Sequence, residues 1–159
     1  APTRLGEGIA ALAIHARTRN ELSEVPARWE HVAEVVAIRD SLGVQTLIIG
    51  NGDVKDIADA EEKVAKAGAD GAMLGRAIYG NPWLYAKREA PPTPEERIQA
   101  LIEHLALFEE KMLGVSNYAT MKKHFKAYIN GWDGAKELRA PLMETESTDE
   151  AVRILSNSL

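Results

Sequence analysis

Two short clusters in this chain have residue types and spacing suited to ligand chemistry. One is Asn51-Gly52-Asp53, at the end of the apolar run Leu47-Ile48-Ile49. The other is Gly75-Arg76, at the end of a second short apolar run. A glycine has no Cβ, so backbone amides at Gly52 and Gly75 can come close to an anion. Arg76 offers a guanidinium fork that can clamp a phosphate. If each run is a parallel strand, both clusters lie at C-terminal strand ends, where α/β folds bind their ligands. Together they read as a phosphate cradle. The plainer reading is that the glycines only serve tight turns between strand and helix. A third cluster is His15, Arg17 and Arg19, which follows the apolar run 9–14. A histidine and two arginines at a strand end suit an anion or a cofactor.

The elements that must position these groups follow from periodicity. Strands are expected at 9–14, 44–49 and 69–74, each a continuous apolar run of the kind found in buried parallel sheets. Residues 2–8 read as the end of a helix and a turn. A helix over 29–42 carries the stripe Trp29, Val32, Val35, Val36 and Ile38, with Gly43 as its C-cap. A second helix over 57–67 has Asp56 as its cap and Gly68 at its end. Pro82 suits the first position of a short aromatic-rich helix. Pro91, Pro92 and Pro94 mark a linker. Thr93, Pro94, Glu95 and Glu96 then open a helix that runs to about Leu113. Further helices are expected over 116–130, 135–144 and 149–156, with Pro141 interrupting the second of these and Ser147 or Thr148 capping the last. The fold class is therefore α/β, βαβαβ, followed by an all-α part. The domains are residues 1–89, a linker at 90–93 and residues 94–159.

Composition narrows the function classes. The 159 residues carry a net charge of −5, so the surface as a whole is no obvious nucleic-acid binder. There are no cysteines, which rules out disulfides, thiolate metal sites and a cysteine acid or nucleophile within this sequence. No metal site is expected. No apolar run approaches the roughly 20 residues of a membrane span, and no signal-peptide pattern is present; a cytoplasmic location is expected. The sequence starts at Ala1 close to a buried-looking strand, which suggests a fragment. Between Met112 and Met143 the charge reverses: Lys122, Lys123, Lys126, Lys136 and Arg139 face only Asp133 and Glu137. With His124, the first three of these form a basic patch on adjacent helical turns. Such a patch suits phosphate-backbone contact or is simply a solvated helix face.

Taken together, IHARTR, IIGNGDV, DGAMLGRAIYGNPWL and the MKKH helix resemble the tRNA-dihydrouridine synthases in order and spacing. The resemblance covers the second part of such a protein. It implies a partial (β/α)8 TIM barrel, the last three strands, followed by a helical bundle domain that helps hold tRNA. The implied parent enzyme reduces uridine in tRNA to 5,6-dihydrouridine. NADPH or NADH reduces FMN, the flavin delivers hydride to uracil C6, and a cysteine from the first half of the barrel protonates C5. By this resemblance Asn51, Gly52 and Asp53 bind FMN, Gly75 and Arg76 bind its phosphate, and His15 contacts the flavin. Arg17 faces cofactor or substrate, and Lys122, Lys123 and His124 face tRNA. The resemblance has gaps. The proton-donor cysteine lies outside this chain, as do a glutamine and a lysine that contact the flavin from earlier strands. A family Gln-x-Tyr pattern is replaced here by Glu21-Leu22-Ser23. The missing N-terminal barrel half is expected in the parent chain, and the 159 residues alone are expected to be inactive. Two other readings fit the same residues: a different FMN- or phosphate-binding barrel, such as a dihydroorotate dehydrogenase-like enzyme, and a non-catalytic RNA-binding module built on 94–159.

Overall fold

The computed structural model describes residues 5, 7–22, 24–86, 88 and 90–159. It divides into two compact units, Ala1–Ala77 and Ile78–Leu159.

The first unit is a parallel sheet of order β1-β2-β3. Its strands are β1 (Ala11–His15), β2 (Leu47–Asn51) and β3 (Gly71–Met73), joined by α1 (Glu30–Leu42) and α2 (Ile57–Ala67). The register aligns His15 with Asn51 and Asn51 with Met73. The strands therefore end level, and their C-terminal residues share one edge. Val32, Val35 and Val36 of α1 and Ala67 of α2 pack with Ile48 and Ala16. That places the helices on one face of the sheet only. The opposite face is open: Ala11, Ala13 and His15 are exposed, and Leu47 and Met73 are about half exposed. A continuous apolar run implies burial on both faces, and here only one is covered. Strand bounds also shift from those expected. β1 and β2 extend to His15 and Asn51 because the ladder continues that far. β3 starts late because the Ala69 amide completes the end of α2 on the Val64 carbonyl. Beside it, the Asp70 carboxylate accepts the Ile48 amide at 2.7 Å and Arg39 Nη1 at 2.5 Å.

Local signals set the helix ends. Gly43 and Gly68 take left-handed φ of 64° and 67° at the C-caps, a conformation that costs glycine little. Asp56 caps α2 by accepting the Asp59 amide at 2.8 Å. The turn expected within 2–8 falls partly on residues outside those described.

The second unit contains α3 (Pro94–Met112), α4 (Ala119–Tyr128), α5 (Ala135–Glu144) and α6 (Thr148–Ser156). Leu101 and Leu105 of α3, Met121 and Phe125 of α4, Leu142 of α5 and Leu155 of α6 share one core. Thr93 and Glu96 form a reciprocal capping box at the start of α3. Ser147 caps α6. α5 runs through Pro141 instead of breaking there. The proline forfeits one amide bond, and the fully buried Leu142 beside it keeps the helix in the core. The helix expected from Pro82 is absent; residues 82–85 form turns, with Ala86 N–H donating to the Trp83 carbonyl at 2.8 Å. Gly80 (φ 68°) packs so closely on the Ala127 carbonyl that a Cβ there would overlap it. This contact ties the 78–86 segment to α4, so the compact units part at Ala77, ahead of the proline-rich stretch that marks the change in composition. Among the described residues no helix is long and apolar enough to cross a membrane.

Candidate functional site

The level strand ends of the first unit open onto a cavity of about 580 Å³. Its lining includes His15, Arg17, Asn51, Gly52, Asp53, Gly75 and Arg76, so these candidates meet in one place, whereas Arg19 of the strand-end cluster is exposed and does not line the cavity. Lys55 and Met73 line it as well.

Backbone geometry explains the NGD turn. Gly52 has φ 121°, and a Cβ there would stand 2.9 Å from Ala27 Cβ and 3.3 Å from the His15 ring. Only glycine fits. Asp53 follows with φ 50°, a left-handed value for a residue with a side chain. Its carboxylate offsets that strain with three bonds. Oδ2 accepts the Ala27 amide at 2.9 Å and Arg17 Nη2, and Oδ1 accepts Arg76 Nη2 at 3.3 Å. The Arg17 bond and the Ala27 amide, with the charges of Arg17 and Arg76, hold the Asp53 carboxyl below its ordinary range.

Trp29 supports the turn from behind. Its Nε1–H donates to the Gly52 carbonyl at 2.9 Å, and its indole fills the place where a Gly50 side chain would project. Further bonds tie the 16–28 loop to this strand end: Ala16 N–H to the Asn51 carbonyl and Arg28 N–H to the Ala16 carbonyl, both 2.8 Å. Glu21 closes that loop by accepting Thr18 N–H at 2.7 Å and pairing with Arg28 at 2.7 Å. The Thr18 hydrogen bonds, backbone and side chain, hold the Glu21 carboxyl down at about 2.

The structure thus refines the expected roles. Arg17 lines the cavity, but its side chain is only 5% exposed and is tied to Asp53 and the Val25 carbonyl. Asp53 holds cations with its side chain, leaving the backbone of the turn to face an anion. Arg76 is 65% exposed and is the outward cation of the group. Trp29, Ala27, Val25 and Lys55 were not singled out from sequence as site residues. Trp29 reads only as part of a helix stripe, and the Ala27 amide and Val25 carbonyl leave no side-chain signature.

In the second unit the basic residues of α4 differ among themselves. Lys122 Nζ donates to the Met143 carbonyl at 2.7 Å, near the end of α5 where a cation is favourable. Lys123 and Lys126 are exposed. His124 is half-buried, edge-on to Tyr79 at 5.5 Å and to His104 at 4.8 Å between ring centroids. His104 in turn lies 3.4 Å from the Tyr128 hydroxyl. Burial lowers the pKa of both histidines, and the charges of His104 and Lys123 add to the effect on His124.

A parallel βαβαβ sheet with a cationic, glycine-lined cavity across adjacent strand ends, joined in sequence to a four-helix unit, defines an α/β protein with a site suited to a phosphorylated ligand. The family model described as "Dihydrouridine synthase (Dus)" matches residues 3–159, and the chain belongs to that family. It is 38% identical over 150 residues to a probable tRNA-dihydrouridine synthase of Staphylococcus aureus, covering 94% of this chain and 46% of the relative. It is 37% identical over 154 residues to probable tRNA-dihydrouridine synthase 2 of Bacillus subtilis, covering 96% of this chain and 47% of the relative. The chain therefore spans about half the length of the curated relatives it matches. Membership of this family sets aside the dihydroorotate dehydrogenase-like reading.

Proposed function

We propose that this chain is the C-terminal part of a flavin-dependent tRNA-dihydrouridine synthase, contributing the phosphate end of an FMN site and a tRNA-facing helical domain. The observation that carries the reading is the convergence of Asn51, Gly52, Gly75, Arg76 and His15 on one cavity. The fit to a phosphate group has an independent support at Gly75. A Cβ there would meet nothing within 4 Å, and its φ is not left-handed. Among the described residues nothing demands glycine at this position, whereas a ligand that approaches the backbone would. The open sheet face supports the barrel: in a closed (β/α)8 fold that face is interior, covered by strands from the portion of the relatives that this chain does not match.

In this reading Gly52 and Gly75 present backbone amides to the phosphate and Arg76 supplies the cation. His15 and Asn51, side by side in the register, bind the remaining polar atoms of the cofactor. FMN supplies hydride chemistry, with NADPH or NADH as reductant. Lys123 and Lys126 attract the tRNA backbone, with Lys122 and His124 beside them. The target uridine must leave its stack to reach a site of this depth. The proton donor and the remaining flavin contacts belong to the rest of the complete protein.

The test uses the complete protein. Its flavin absorbance is recorded, the flavin is released and identified, and NADPH-dependent dihydrouridine formation is measured on a tRNA transcript. FMN together with dihydrouridine is the expected result. A colourless protein, or a different flavin, would overturn the assignment.

A further inference from the structure

We propose that Asp53 is a positioning residue for Arg76, holding its guanidinium at the cavity mouth so that a ligand's phosphate meets an already oriented cation. This rests on the phosphate-site reading above and deepens it by assigning a role within that site. An exposed arginine normally samples many rotamers, and ordering it on binding costs entropy. Arg76 is 65% exposed, yet its Nη2 is held by Asp53 Oδ1 at 3.3 Å.

The anchor itself is fixed on the other side. Asp53 Oδ2 accepts the Ala27 amide at 2.9 Å and pairs with the buried Arg17 guanidinium. The Arg17 charge offsets the carboxylate, so the weaker and longer contact to Arg76 tethers that cation without cancelling it. A carboxylate with both oxygens engaged by donors, and with negative charge of its own, is a poor phosphate ligand. It is a good strut between a buried cation and an exposed one.

The experiment follows the arginine Nε–Hε signals of the 159-residue chain by NMR, with orthophosphate as the probe. In the wild-type chain without phosphate, Arg76 is expected to be ordered, in contrast to exposed Arg19. Orthophosphate is expected to shift its signal. Asp53→Asn is the selective variant. Its amide oxygen can still accept from Ala27 and Arg17, while its NH2 faces Arg76 donor to donor. It should mobilise Arg76 and weaken phosphate binding at least fivefold, and that loss should vanish in an Arg76→Ala background.

Four results overturn the proposal. One is an Arg76 as mobile as Arg19 in the wild-type chain, which needs no variant and so stands even if Asp53→Asn fails to fold. The others are unchanged or tighter phosphate binding by Asp53→Asn, an equal loss with Arg76 already removed, and no phosphate response in the wild-type chain. None of these bears on whether the complete protein carries FMN, so the two readings fail separately.

Discussion

The Trp29 indole occupies the volume into which a Gly50 side chain would project, and its Nε1–H is bonded to the Gly52 carbonyl two residues along. One aromatic side chain at the start of α1 thereby sets both the packing of β2 and the path of the turn that follows it. Gly50→Ala must push the indole aside. Overpacking of this kind costs about 1–3 kcal/mol. Urea unfolding should show that loss, and the Trp29 fluorescence of the folded state should change because the indole has moved. Trp29→Phe keeps much of the packing but loses the bond to Gly52, so it should be milder in stability while still loosening the turn.

Gly52 and Gly75 should respond differently to alanine. At Gly52 the φ of 121° and the Ala27 and His15 neighbours make any side chain strained. Gly52→Ala should therefore lower stability in the absence of ligand. Gly75→Ala meets open space, so the unliganded chain should unfold at the same urea concentration as wild type. If the backbone at residue 75 touches the cofactor phosphate, the same change should still weaken FMN retention by the complete protein. Unchanged retention would remove Gly75 from the site.

The histidine pair between α3 and α4 predicts an acid-sensitive helical unit. Burial lowers the folded-state pKa of His104 and His124 below the ordinary value of 6.5. The unfolded state then takes up protons first as pH falls. The stability contributed by the neutral pair is fully present above about pH 6.5 and is lost as pH drops through the lowered folded values. Tyr79, Tyr128 and Lys123 surround the pair, and Glu103 lies near Tyr128. Thermal unfolding between pH 8 and about pH 5 should therefore decline more steeply for wild type than for a His104→Gln, His124→Gln double variant. Parallel curves would show that the pair does not titrate in this way.

On α4, exposure separates the lysines that sequence alone treats as one patch. Lys123→Glu and Lys126→Glu should each weaken tRNA binding by the complete protein. Replacement by alanine should reduce the slope of log affinity against log salt by about one for each phosphate left without its lysine. Lys122→Ala should have the smaller effect on binding, because its ammonium already bonds the Met143 carbonyl, and should instead lower helical-unit stability. Equal effects at all three positions would contradict this ranking.

The capping box at α3 gives a local test. Thr93→Ala removes the acceptor for the Glu96 amide and should cost about 1 kcal/mol. Unfolding followed by far-ultraviolet circular dichroism reads this directly.

By itself, the sequence determined what depends on neighbours along the chain. The caps at Asp56 and Thr93, the glycine stops at Gly43 and Gly68, and the apolar stripes of α1 and α3 are short-range features, and the structure contains them; the choice of Ser147 over Thr148 as the last cap came with the fold. The NGD and GR clusters were also legible, because glycine and charge at strand ends have few purposes. Tertiary structure decided the rest, through contacts between residues far apart in sequence. The ends of β1 and β3 depended on ladder partners and on the Asp70 carboxylate. Pro141 stayed within α5 because Leu142 is held in the core. The aromatic segment after Gly80 became turns because Gly80 packs on Ala127. The division of labour at the site arose in the same way. Residues 17, 53 and 76 carry charges that are plain in the sequence. Only folding brings the Ala27 amide and the buried Arg17 to one side of Asp53 and leaves Arg76 on the other. Opposite charges in a sequence have no fixed partners; burial and distance choose them.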